Sequence, residues 1–214
     1  MIGQRLVAAV AALAFGPAVA QKNPDRNAYF GETHVHTSWS LDAFALGMRA
    51  ANPKATVRVV WLDTWFDPAK ERDAAQTLID QGADVLTHHS ASTAVAQTAQ
   101  ANFRRRGVRV VSYPSDMRAF APDAQLVAIV HRWGGFYTRV AQSVLDGTWT
   151  PAPVWGGIAS GMVDVDAVGA DLARDVVAGL QSRRAAIVAG TLKPFVAPLV
   201  DNRGVVRLAH GALA

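Results

Sequence analysis

The sequence contains no cysteine. That excludes disulfides, thiolate metal sites, cysteine nucleophiles and a lipid anchor on an acylated cysteine. Charge is also sparse: Asp, Glu, Lys and Arg make up 18% of the chain, too little for an extended disordered segment. No apolar run approaches the roughly 20 residues needed to span a bilayer, so the chain is not expected to cross a membrane. Internal repeats, low-complexity tracts, a nucleophile elbow and a glycine-rich phosphate loop are all lacking. A hydrolase reading of the main body therefore has no motif to rest on.

Apolar material is plentiful. Half of the 214 residues are hydrophobic, and the mean hydropathy is +0.13, enough for one large or two small packed domains. A net charge of +4 and a pI near 9.8 raise the question of nucleic acid. The basic residues are scattered, however, and the densest group, Arg104, Arg105 and Arg106, directly precedes Gly107. Cations there offset the negative end of a helix dipole. Nucleic acid is not an expected partner, because a binding face needs a larger basic footprint.

The first 20 residues have the order of a signal peptide. Arg5 is followed by the apolar run 6–15, by Gly16 and Pro17, and by Ala18, Val19 and Ala20. Cleavage is expected between Ala20 and Gln21, giving a periplasmic or otherwise exported protein. Residues 21–43 form a leader, polar through 28 and then alternating.

From residue 56 the pattern is regular. Strands are expected at 56–61, 84–88, 108–112 and 126–130, each β-branched or apolar and bounded by turn residues. Asp67 and Pro68 supply an N-cap and a first helical proline, and Gly82 a stop. A second helix runs from a cap at Ser92 to Arg106, a third covers 136–145, and a long amphipathic one covers 170–189. Apolar runs on either side of 201–204 read as a hairpin. The alternation implies an α/β fold, a doubly wound parallel sheet with a C-terminal helix and hairpin.

In such sheets ligands bind beyond the carboxyl ends of the strands. The segments there contain Asp63, Thr64 and Trp65; His88, His89 and Ser90; Tyr113, Ser115 and Asp116; and His131, Arg132 and Trp133. Trp65 and Trp133 are either stacking faces for a flat heterocycle or core anchors. Ser90, Ser115 and Asp116 offer partners for ring nitrogens or hydroxyls. The pair His88 and His89 follows no metal-ligand spacing, and a histidine closing a strand is commonly satisfied by backbone groups.

The blocks ALGMRAANP (45–53), VRVVWLDTWFDPAKERDAA, LIDQGADVLTHHS, PSDMRAFAP, HRWGGFYTRVAQSVLDGTW and VWGGIASGMVD occur in that order. Together they resemble the basic membrane protein (Bmp, PnrA-like) family over about residues 42–214. These are substrate-binding components of ABC importers with the type I periplasmic-binding-protein fold. The resemblance implies a non-enzymatic protein without a cofactor. Its ligand would be a purine nucleoside or purine base, and its partners the importer's membrane subunits. It also implies ligand contacts from Trp65, Ser90, Asp116 and Trp133. Members carry a first lobe and an opening strand ahead of the ALG block. Residues 44–214 are accordingly expected to form the second lobe of a truncated or fused protein, with that strand missing.

A second resemblance covers 29–43 (YFGETHVHTSWSLDA), which is similar to the opening motif of PHP-type metal-dependent phosphoesterases. It implies a divalent metal held by His34 and His36, which share one side of a strand. The glutamates are only Glu32 and Glu71, and two imidazoles fall short of the three protein ligands of a catalytic centre.

Overall fold

The computed structural model of this chain describes residues 9–11, 47–48, 51–193, 197–200 and 204–211. Strand β1 (Ala9–Ala11) pairs in parallel with β2 (Val59–Trp61) and lies against β3 (Val85–Thr87). It falls inside the segment read as a signal peptide. The other residues of 1–20, and all of the leader 21–43, lie outside the described residues.

Helix α1 (Pro68–Asp80) starts where local chemistry dictates. Asp67 is extended and its carboxylate accepts the Lys70 N–H at 3.0 Å, while Pro68 fixes the first helical φ without needing a donor. Ala74, Ala75, Leu78 and Ile79 recur at helical spacing and form its buried face. Helix α2 (Ala94–Arg106) ends at Gly107, whose φ of +69° and N–H bond to the Phe103 carbonyl close the last turn. Its terminal arginines lie at the negative end of the dipole, and Arg106 pairs with Asp80 at 2.6 Å.

Next come β4 (Arg109–Ser112), β5 (Gln125–His131), helix α3 (Gly134–Leu145), β6 (Val163–Asp166) and helix α4 (Arg174–Val188). The main sheet has the order β3-β4-β5-β6, with β3, β4 and β5 parallel and β6 antiparallel to β5. Strands β7 (Leu199–Val200) and β8 (Val206–Leu208) form the expected hairpin. The result is an α/β, mostly parallel open sheet. Strand β6 is the departure: the short VDVD run alternates as an edge strand does, with Asp164 and Asp166 on one face.

The core lies between α1, α2 and one sheet face. Leu78, Leu86, Val95, Val108 and Val110 are buried, and Leu86 faces Val110 across the β3–β4 register. Ala75, Ala96 and Ala99 let the two helices approach. Helix α4 exists as expected, but no residue on it is buried and Val176 is exposed. The apolar side of that helix is not part of the core.

Candidate functional site

The sheet topology brings the residues after β2, β3, β4 and β5 to one edge, and aromatic rings cross it in sequence. Trp65 tilts against His89 at 6.3 Å between centroids, and His89 stacks on Tyr113 at 4.1 Å and 24°. Tyr113 meets His131 edge-on at 5.0 Å, and His131 stacks on Trp133 at 4.5 Å and 17°. Trp133 then contacts Tyr137 of α3 edge-on at 6.2 Å. Stacked and T-shaped pairs each add about 0.5–1.5 kcal/mol beyond burial, so neighbours fix the tilt of each ring.

Trp65 is 39% exposed and Trp133 half-buried, so neither is a fully enclosed core anchor. Burial pushes the Tyr113 phenol up to about 12, which leaves it a neutral hydroxyl across physiological pH.

Beneath this row lies a buried carboxylate. Glu71 is fully buried in the first turn of α1 and accepts three donors: the Asp67 N–H at 3.2 Å, the Ser90 hydroxyl at 2.6 Å and the Ser92 hydroxyl at 2.7 Å. Ser92 in turn accepts the Ala94 N–H at 3.1 Å, one residue ahead of the N-cap of α2, which is Thr93 and not the expected Ser92 and makes no side-chain cap bond. A further bond from the Ala91 N–H to the Trp65 carbonyl, 2.9 Å, joins the same two loops. Glu71 thus ties the Trp65 loop to the His89 loop.

His88 belongs to this network as well. Its Nδ1 lies 3.2 Å from the Ser90 carbonyl, so the backbone satisfies one side of the ring, while its buried Nε2 has no hydrogen-bond partner among the described residues. Burial lowers its pKa, against the opposing effects of the Ser90 carbonyl and the Glu71 charge.

Of the residues expected to contact ligand, Trp65 and Trp133 stand in one row. Ser90 is buried and spends its hydroxyl on Glu71. The Asp116 carboxylate accepts the Arg118 guanidinium at 2.7 Å and 2.9 Å, the Arg118 N–H at 3.0 Å and the Gln125 amide at 2.9 Å. The Arg118 hydrogen bonds hold its pKa at about 2. Gln125 opens β5 and His131 closes it, so Asp116 bonds toward the opposite end of that strand from the rings.

Arg132, beside the row, pairs with Asp166 and lies 3.9 Å from Asp164, which also binds Arg184 at 2.6 Å. His89, Tyr113, His131, Tyr137 and Glu71 are the contributors that sequence reasoning left out of the site. The first three carried a signal, since each stands at or just after the end of a parallel strand.

Residues 11–191 match the family model described as Bmp, ABC transporter substrate-binding protein PnrA-like. The chain belongs to this family of ABC-transporter substrate-binding proteins. The match begins ahead of residue 42, where the recognisable blocks start, and runs across 29–43. The chain is similar to a purine-binding protein of Brucella abortus, 41% identical over 174 residues that make up 81% of this chain and 48% of that protein. It is also similar to a putative ABC transporter glucose-binding protein of Haloferax volcanii, 34% identical over 64% of this chain and 34% of that one. It therefore spans about half the length of the first of these relatives and about a third of the second. In fold it resembles a solute-binding protein from Aeropyrum pernix K1, with a TM-score of 0.65 at 14% identity over 93% of this chain and 59% of that one.

His34 and His36 of this Bmp-family chain lie outside the described residues. Among the described residues, no group of three or more His, Asp or Glu is placed to hold a metal ion, and no helix is long and apolar enough to cross a membrane.

Proposed function

We propose that this protein captures a purine base or purine nucleoside outside the cytoplasm and delivers it to the membrane subunits of an ABC importer. The observation that carries this reading is the row of rings from Trp65 to Tyr137 across the carboxyl edge of the sheet. A flat heterocycle gains most from such a surface, because π-faces stack with little demand on sequence or register. The purine-binding relative supports the same ligand class.

The glucose-binding relative favours a second reading, in which a sugar ring lies on the indoles. Calorimetric titration and tryptophan fluorescence with adenine, adenosine and glucose separate the two. The purine reading expects saturable quenching by adenine or adenosine that is lost in Trp65→Ala, with glucose inert. Saturable glucose binding with no response to either purine would replace it.

A further inference from the structure

We propose that His88 positions the ring row only as a neutral imidazole, so that proton uptake at this buried ring loosens the loops that carry His89 and Trp65. The row itself is at stake, whichever ligand it takes. Alternation along β3 and β4 places a polar pair behind the rings. His88 follows Leu86 by two residues on the core face of β3, and Ser112 follows Val110 in the same way on β4; all four are buried. Leu86 pairs with Val110 and Thr87 with Val111, so His88 and Ser112 share the next register position. His89 and Tyr113, one residue further along each chain, are the pair that stacks at 4.1 Å in the row.

The inner pair is short of partners. Neither His88 Nε2 nor the Ser112 hydroxyl has a hydrogen-bond partner among the described residues. On the other side of the imidazole, Nδ1 lies 3.2 Å from the Ser90 carbonyl, and a carbonyl only accepts. Nδ1 therefore carries the proton of the neutral ring, and Nε2 presents a bare lone pair. The Nδ1 bond spans His89 and so brackets the short loop from which that ring meets Tyr113 and Trp65. Ser90 then donates to Glu71, and the Ala91 N–H bonds the Trp65 carbonyl, which carries the bracket across to the other loop.

A second proton makes Nε2 a charged, enclosed donor with no acceptor in place. The elements packed against β3 are β1, β4 and α2. Strand β1 is Ala9–Ala11, the near end of α2 is Ala94, Val95 and Ala96, and β4 brings Ser112. The charged residues of these elements, Arg109 and Arg104 to Arg106, stand at their opposite ends. Glu71 of α1 favours the proton by its charge, but it already holds three donors. Burial outweighs Glu71 and the Ser90 carbonyl, and His88 stays neutral. Taking up the proton therefore moves the ring, and any movement loosens the bond that brackets His89.

The test is an NMR pH titration of the full chain that reads the imidazole nitrogens of His88, the Ala91 amide and the Trp65 indole. His88→Asn assigns the imidazole signal; its amide keeps a donor near the place of Nδ1 and takes up no proton. The expected result is an Nδ1–H tautomer at pH 7 and a midpoint below the usual 6.5. The Ala91 and Trp65 signals should show a step at that same midpoint, absent from His88→Asn. Because the folded value is lowered, the unfolded chain binds the proton first, and stability is lost as pH falls below about 6.5. The ratio of urea unfolding constants, parent over His88→Asn, should therefore rise by about fivefold or more between pH 7 and pH 5. In Ser112→Ala the midpoint should fall further, since the hydroxyl beside His88 in the register is gone. The inference is overturned if His88 titrates at 6.5 or above, if the Ala91 and Trp65 signals ignore its midpoint, or if the ratio stays flat. Should His88→Asn not fold, the titrations of the parent and Ser112→Ala decide by the same criteria.

Discussion

Replacing Glu71 by alanine tests whether one buried carboxylate holds the edge of the sheet together. The side chain is fully buried and receives the Asp67 N–H and the hydroxyls of Ser90 and Ser92, between 2.6 and 3.2 Å. Hydrogen bonds to a charged group contribute about 1.5–3 kcal/mol each, and buried donors left unpaired lose their own solvation in addition. The three are coupled through one group and do not add fully. Truncation is therefore expected to cost about 3–5 kcal/mol, a large part of the roughly 5–15 kcal/mol that holds a domain of this size folded.

Glu71→Gln keeps the shape and one acceptor oxygen, and the serine hydroxyls can rotate to receive its amide, so about 1–3 kcal/mol is expected. Urea unfolding measures both variants. Amide exchange across 62–67 and 88–93 shows whether the two loops loosen together. A Glu71→Ala loss below about 1 kcal/mol, or faster exchange in only one loop, would refute the claim that this group joins them.

Asp116 makes a pH prediction. Its folded pKa is lowered to about 2 from 3.8, so its contribution to stability is present above the unfolded value and is lost as pH falls from about 4 through 2. Its side chain is 37% exposed and solvent screens the Arg118 pair, so the effect should stay below about 1 kcal/mol. Urea midpoints of parent and Asp116→Asn should converge between pH 5 and pH 2; a gap that stays constant over that range would contradict the assignment. Gly169→Ala should destabilise by about 1–3 kcal/mol, because a Cβ there would stand 2.5 Å from the Gln125 carbonyl oxygen and the backbone must shift. Thermal unfolding checks this, and an unchanged melting temperature would show that β5 and the 167–169 turn are not in close contact.

The parts of the fold legible in the sequence are those determined by a few neighbouring residues. Asp67 with Pro68 starts α1, and Gly107 after Arg104, Arg105 and Arg106 stops α2, because capping and dipole effects act within one turn. Strand β6 was not legible: four alternating residues preceded by irregular chain give no signal that separates an edge strand from a loop.

The site divides in the same way. Trp65, His89, Tyr113, His131 and Trp133 stand at or just beyond strand ends, so their shared edge follows from the topology, but which ring stacks on which does not. The fate of Ser90 was illegible for a different reason. Its partner Glu71 is 19 residues earlier, and a polar residue after a strand looks alike whether its hydroxyl faces ligand or core. Asp116 shows the same limit, since Gln125 and Arg118 claim its oxygens. A carboxylate in a binding loop is identified by the donors it already holds, and those depend on how the loop folds back.

The core is lopsided in a way that bears on the site. Helices α1 and α2 bury apolar faces against β3 and β4, whereas no residue of α3 or α4 is buried, and Val144 and Leu145 of α3 are exposed. Stability therefore resides mainly in the half that carries Trp65, His89 and Tyr113, and Glu71 sits at the junction of that core with the ring row. Trp133 and Tyr137 enter from the less enclosed half, and their positions relative to the rest depend on His131 at the end of β5. A ligand touching both ends of the row would thus join a well-packed element to a more exposed one, and fixing the exposed side chains there would cost some affinity through their lost rotamer freedom.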